Sequence, residues 1–363
     1  MGNPVDTLYV ATRKGLFRLE RRDGWQITGR SFVGDPVTMI LDDAADGTLY
    51  AALNLGHFGV KLHRSADRGE TWEEVTAPTF PGNADDDDAP SVKQVWELVS
   101  TGKGPGSLWA GTIPGALFRS DDGGSSWSLC QSLWDRPERS NWFGGGYDDP
   151  GIHSICVHPN NPDNIVVGVS CGGAWVTDDG GATWETRTAG MFAAYMPPER
   201  KDDPSIQDPH RIARCPANPD ILWSQHHNGV FHSTDEGRSW KHIDTVLPSD
   251  FGFGVVVHPD DGDQAWLAPA VKDECRVPVD GRVVVAHTRN GGASFVVQRE
   301  GLPQEDAYDL VFRHALDIDA SGSRLAMGST TGSLWLTEDG GTRWQTVSRH
   351  LPPIYQVQFA TSL

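Results

Sequence analysis

The chain has 363 residues, and 49 Asp and Glu against 30 Lys and Arg leave a formal net charge of −19. That excess of carboxylates, without a clustered basic face, excludes nucleic acid and anionic membrane as partners, since either needs cations to release counterions. Cys130, Cys156, Cys171, Cys215 and Cys275 are odd in number and include no C-x-x-C pair, which excludes a disulfide framework and a thiolate zinc site and fits free thiols in a reducing compartment.

In chain order, strand-like alternation begins at once, with segments at 7–12, 15–18 and 26–29. No basic, apolar or cleavage region of a secretory signal precedes them, and no apolar run is long enough to span a bilayer. The expectation is a cytoplasmic protein. Gly (41), Pro (24) and Trp (14) are abundant, which suits many short strands joined by tight turns in an all-β chain.

Self-similarity then dominates. Ser65-Ala-Asp67-Arg-Gly69-Glu-Thr71-Trp72 recurs as Ser120-Asp-Asp122-Gly-Gly124-Ser-Ser126-Trp127, as Thr177-Asp-Asp179-Gly-Gly181-Ala-Thr183-Trp184 and as Ser233-Thr-Asp235-Glu-Gly237-Arg-Ser239-Trp240. Looser copies follow at Thr288 to Phe295 and Thr337 to Trp344, and a decayed one survives as Asp23-Gly24-Trp25. From Trp25 the aromatic spacings are 47, 55, 57, 56, 55 and 49. Physically the box is a hairpin turn: Asp accepts backbone N–H bonds, Gly takes positive φ, and the aromatic fills the space between sheets. Around one box, 151–158, 164–168, 174–177 and 183–186 read as strands A to D of one repeat. A seventh innermost strand, 354–360, ends the chain without B, C and D partners, which the N-terminal segments supply.

These boxes resemble the BNR/Asp-box family, S/T-x-D-x-G-x-T/S-W, found in sialidases, sortilin-type receptors, xyloglucan-cleaving glycosidases and photosystem II assembly factors. The resemblance and the repeat count imply a single seven-bladed β-propeller over residues 1–363, closed by a blade shared between the two chain ends, and no particular activity.

In such a ring the D–A and B–C loops share one mouth, and the long insertions at 77–93, 130–150, 188–209, 269–281 and 300–309 fall there, where function concentrates. Aligning A strands on the turns at His158, Cys215 and Asp319 and counting five residues back gives His153, His210 and His314. The same count reaches Phe253, Val95 or Trp96, Val37 or Thr38, and Tyr355. Three histidines at one level of a converging ring predict a site for one divalent transition metal, Zn, Mn, Fe or Cu. Tyr147 and Tyr195, in loops above, are the expected proton donors or substrate contacts, and His227, beside His226, an added ligand or acid/base. Glu97, Asp148, Asp149, Asp208 and Asp309 are carboxylate candidates for acid/base work. Arg211, with Arg13, Lys14, Lys272, Arg276 and Arg313, is a candidate for holding a substrate carboxylate. The run Asp85 to Asp88 is a weak calcium candidate.

The functional expectation is a metal-assisted hydrolase or lyase acting on a small polar or carbohydrate ligand. The alternatives are a non-catalytic binding or assembly propeller and a metal-independent glycosidase, since fold alone does not choose.

Overall fold

Each repeat folds as four antiparallel strands, and seven such sheets make a closed ring in the computed structural model, which describes residues 6–82 and 90–361. Blade 1 begins on Val37–Asp42, blade 2 on Gln94–Ser100 and blade 3 on Ile152–His158. Blades 4, 5 and 6 begin on Pro209–Arg214, Gly252–Val257 and Leu316–Ile318. These innermost strands contact their neighbours around the ring. In blade 7 the innermost strand is Ile354–Phe359, and Thr7–Thr12, Gly15–Arg21 and Trp25–Ser31 complete it. Pairing of Leu8 with Phe359 and of Val10 with Val357 closes the ring, which removes the free edge an open sheet would expose.

Two side chains reinforce the closure. The Gln356 amide accepts from the Ile40 N–H at 2.6 Å and donates to the Ile40 carbonyl at 3.0 Å, tying blade 7 to blade 1. On the other flank, the Asp317 carboxyl accepts from the Phe359 N–H at 2.7 Å. Burial pushes its pKa up to about 7.

The Asp boxes are turns between third and fourth strands. In blade 2 the Ser120 hydroxyl accepts from the Gly124 N–H at 2.9 Å, and the Asp122 carboxylate takes the Ser126 N–H and hydroxyl at 2.9 and 2.6 Å. Gly124 sits at φ +82°, a conformation that a side chain at this position would strain. The box tryptophan reaches into the preceding blade. Trp127 Nε1 donates to the Thr76 carbonyl at 2.8 Å and Trp240 Nε1 to the Arg187 carbonyl at 3.0 Å. Seven apolar clusters between and within blades make up the core. All five cysteines are free, and no helix of the described chain is long and apolar enough to cross a membrane.

One irregularity positions the site. Register shifts interrupt the innermost strands between Val37 and Met39, Val95 and Glu97, Ile152 and Ser154, Pro209 and Arg211, and Gly252 and Val255. The residues at those breaks are Thr38, Trp96, His153, His210 and the Phe253-Gly254 pair. A bulge re-aims a side chain, so equivalent positions in the repeat need not point to one place.

Candidate functional site

The insertions surround a cavity of about 1020 Å³ at the D–A and B–C mouth. Its floor takes Thr38, Trp96, His210, Phe253, His314 and Tyr355 from the innermost strands or the segments leading into them, and its walls take Phe143 to Tyr147, Cys171, Tyr195, His227, Arg276 and Arg313 from loops. The Gly144-Gly145-Gly146 segment folds over one wall. A Cβ on Gly145 would stand 2.8 Å from the Cys171 Sγ, so any side chain there would push the segment and the thiol apart.

Asp208 anchors the reactive end. It directly precedes the strand that carries His210, and residues two apart on extended chain share a face. Cys171, at φ +47°, turns its N–H onto the Asp208 Oδ1 at 3.0 Å. The other oxygen, Oδ2, lies 3.5 Å from His210 Nε2 and 3.4 Å from His227 Nδ1. Burial raises the Asp208 pKa, but the facing imidazoles overcome it and hold the carboxyl well below the usual carboxylate range. Among the described residues, Asp208, His210 and His227 are the one group of three metal-capable side chains whose ligand atoms lie within 4.8 Å of one another.

The imidazoles are set by their surroundings. His210 Nδ1 lies 2.6 Å from the Gly252 carbonyl, so that nitrogen donates to it and Nε2 is the ring atom turned toward Asp208. The ring stacks on Phe253 with centroids 4.5 Å apart and planes 14° from parallel. His227 packs edge-on against Tyr195 and His210. Burial disfavours its charge, yet Asp208 outweighs that and keeps its pKa above the ordinary value. His226, the preceding residue, points away and is fully buried between the N–H groups of Asp208 and Asn228. Burial lowers its pKa to about 3.

The three-histidine metal site expected from the alignment is corrected by this geometry. His153 is wholly buried, lies edge-on beneath Trp96 and does not line the cavity. Its Nδ1 meets the Ser154 hydroxyl at 3.0 Å. His314 does line the cavity, but its Nε2 is 2.9 Å from the His153 carbonyl and 3.3 Å from Glu97. A proton on that nitrogen serves both acceptors, leaving no lone pair there for an ion. Both residues sit at equivalent register breaks, yet His210 lines the cavity and His153 does not.

Other expected residues are also reassigned. Glu97 is buried, ion-paired with Arg211 and faced by His314, which hold its carboxyl below its ordinary value against the effect of burial. Arg211 also donates to the His153 carbonyl at 2.9 Å and does not line the cavity. The pair thus lies outside the cavity lining. The Tyr195 hydroxyl donates to the Ile206 carbonyl at 2.8 Å, so the ring is a wall and its proton is committed. Tyr147, half exposed, packs edge-on against Trp96 and lines the cavity. Asp149 takes Lys93, and Asp309 accepts from the Ser329 hydroxyl at 2.7 Å as a loop cap. Arg13 and Lys14 do not line the cavity. Asp85 to Asp88 lie outside the described residues.

Arg313 stands apart. Its Nε donates to the His210 carbonyl at 2.8 Å, and its guanidinium lies 4.3 Å from the Trp96 ring centre and 5.6 Å from that of Phe253. Burial lowers its pKa to about 10.

No protein-family model matches the chain, and no curated protein aligns with it. Among solved structures it is similar to an ancestral GH74 enzyme, at 16% identity and TM-score 0.58 over 85% of this chain and 38% of that one. The chain thus spans well under half of that relative. It is also similar to YCF48 bound to D1 peptide, at 15% identity and TM-score 0.55 over 90% of this chain and 95% of that one. YCF48 from Cyanidioschyzon merolae gives the same identity and TM-score over 93% and 97%. At these identities the likeness establishes the fold alone, a seven-bladed β-propeller.

Proposed function

We propose that this chain is a metal-assisted enzyme of the Asp-box type, with one divalent ion held by Asp208, His210 and His227, acting on a small polar or sugar-derived substrate in the cavity above them. The observation that carries the reading is the tight cluster of one ionised carboxylate and two imidazoles at the end of a large cavity. The bond from His210 Nδ1 to a backbone carbonyl supports it, because that is how a metal-ligating imidazole is oriented and its basicity raised. Two nitrogens and one oxygen suit zinc, iron or manganese, and three protein ligands leave positions open for water or a substrate oxygen. An ion there supplies a Lewis acid and an activated water. The chain's own residues bind and orient the substrate, with Tyr147, which lines the cavity, as the proton donor.

A metal-independent glycosidase fits less well. That chemistry needs one carboxylic acid held protonated near a second carboxylate, whereas Asp208 is held ionised and Glu97 lies under Arg211 and His314. A docking role like that of YCF48 with its peptide rests on Phe58, Phe143, Tyr147 and Tyr195, which are exposed at the rim.

The test is isothermal titration of tag-free protein with Zn²⁺ and with Mn²⁺. One site per chain is expected. Loss of a second-shell partner alone costs about 10- to 100-fold in affinity, so Asp208→Asn and His227→Ala should each weaken binding by at least that much, with His314→Ala unaffected. Absence of stoichiometric binding, or equal affinity in all three variants, overturns the metal reading.

A further inference from the structure

The cations around the cavity differ in what they already hold. Arg211 is paired with Glu97 beneath the floor, Arg276 with Asp273 at the rim, and Lys272 with Glu274. Arg313 forms no ion pair among the described residues. Its Nε is used on the His210 carbonyl, its flat face lies on Trp96, and its two terminal nitrogens make no hydrogen bond within the described protein. A guanidinium is charged at any working pH and presents a planar fork that matches a carboxylate. Here the fork is fixed by one backbone bond and one aromatic face, so little freedom is lost when it is used.

Its position adds a second constraint. The carbonyl that holds Arg313 belongs to His210, whose ring faces Asp208. The cation and the proposed ion are therefore neighbours through a single residue. Around both, the lining includes the rings of Trp96, Phe143, Tyr147, Tyr195, Phe253 and Phe312. An inorganic anion would satisfy the cation and leave those rings unused. A fully neutral ligand would leave the cation unused.

We propose that the ligand of this cavity is a small organic acid with a flat apolar body, whose carboxylate is taken by the Arg313 fork while an adjacent hydroxyl or oxo oxygen faces the Asp208–His210–His227 cluster. This rests on reading the cavity as a metal-bearing small-molecule site, but the carboxylate anchor itself does not require the ion. Arg313 is on this account a binding residue that sets substrate class.

The probes are mandelate, an aromatic hydroxy acid, and mandelamide, which has the same shape without the charge. Each is titrated calorimetrically into protein stripped of metal and into protein loaded with Mn²⁺. A charge-assisted bidentate contact corresponds to about 10- to 100-fold in affinity. Mandelate should be preferred over mandelamide by that factor in metal-free protein, and Mn²⁺ should tighten mandelate further. Arg313→Met should remove the preference while its Mn²⁺ affinity stays within a few-fold of the parent's. If Arg313→Met fails to fold, the acid-against-amide comparison on the parent decides alone. Equal binding of the two probes, or no mandelate heat up to about 10 mM, where an anchored carboxylate already registers, overturns the proposal. If Mn²⁺ does not bind but the acid preference is present, the metal reading fails and the carboxylate anchor stands.

Discussion

Asp317→Asn is expected to stabilise the protein at alkaline pH, against the usual trend for removing a charge from a folded domain. The carboxyl accepts from the Phe359 N–H at 2.7 Å across the closing strand, a bond the asparagine oxygen also makes. Burial raises its pKa from 3.8 to about 7. An acid whose folded pKa lies above its unfolded value favours the native state only while it stays protonated. Below about pH 4 both states hold the proton and the group costs nothing. Between about 4 and 7 the unfolded chain releases its proton first, so stability falls as pH rises, and above 7 the loss is complete. The shift is roughly 3 pH units at about 1.4 kcal/mol each, which makes about 4 kcal/mol the upper limit of the loss. Melting temperatures of parent and Asp317→Asn measured by calorimetry from pH 4 to 9 should therefore coincide at the acid end and diverge above neutrality, with the variant higher. Parallel curves over that range would refute the picture of a neutral carboxyl clamping the last strand.

Truncation before Ile354 should lower the melting temperature of the whole ring, because it frees the edge of Thr7–Thr12; a truncated protein melting like the parent would contradict the closure. Trp240→Ala should cost about 3–5 kcal/mol, the scale for losing a large buried aromatic, while sparing Mn²⁺ affinity below the melting range, since Trp240 belongs to the opposite, Asp-box face; denaturant unfolding and titration check the two parts. Glu97→Gln should destabilise by about 3 kcal/mol, because it leaves the Arg211 charge without its partner, and unchanged unfolding midpoints would sink that account of the Glu97–Arg211 pair. Gly145→Ala should push the glycine segment off Cys171 and expose a thiol that is now buried; faster alkylation of Cys171, read by peptide mass spectrometry, is the expected result.

The architecture was legible because its determinants repeat. Ser120, Asp122, Gly124 and Trp127 each do one local job in a turn, and the same four jobs recur at a period set by four strands. Even the shared blade followed from counting innermost strands: the seventh, at 354–360, pairs with Thr7–Thr12 as expected. The alignment that placed His153, His210 and Phe253, with Val37 or Thr38 and Val95 or Trp96, at equivalent positions also falls on the register breaks of those five strands.

What a repeat alignment cannot carry is direction. A bulge rotates the residue at the break, and His153 and His210 leave it facing different surroundings. The metal-capable group is instead assembled from Asp208 before the strand, His210 on it and His227 in the neighbouring B–C turn. Asp208 and His210 were readable as a pair from their i, i+2 spacing on extended chain. The partnership with His227 was not, because it depends on Cys171 of another blade holding the carboxylate from behind. Arg313 was visible only as one of several basic residues; its distinction is that it forms no ion pair among the described residues, a property of the folded chain.

The most direct test of the account is an anomalous difference map from crystals grown with Mn²⁺. The account predicts one strong peak per chain bonded to an Asp208 oxygen, His210 Nε2 and a His227 ring nitrogen at about 2.0–2.2 Å, the range for first-row divalent ions on such ligands. A sole peak at His153 or His314, or an empty cluster in protein saturated with the ion, would contradict it.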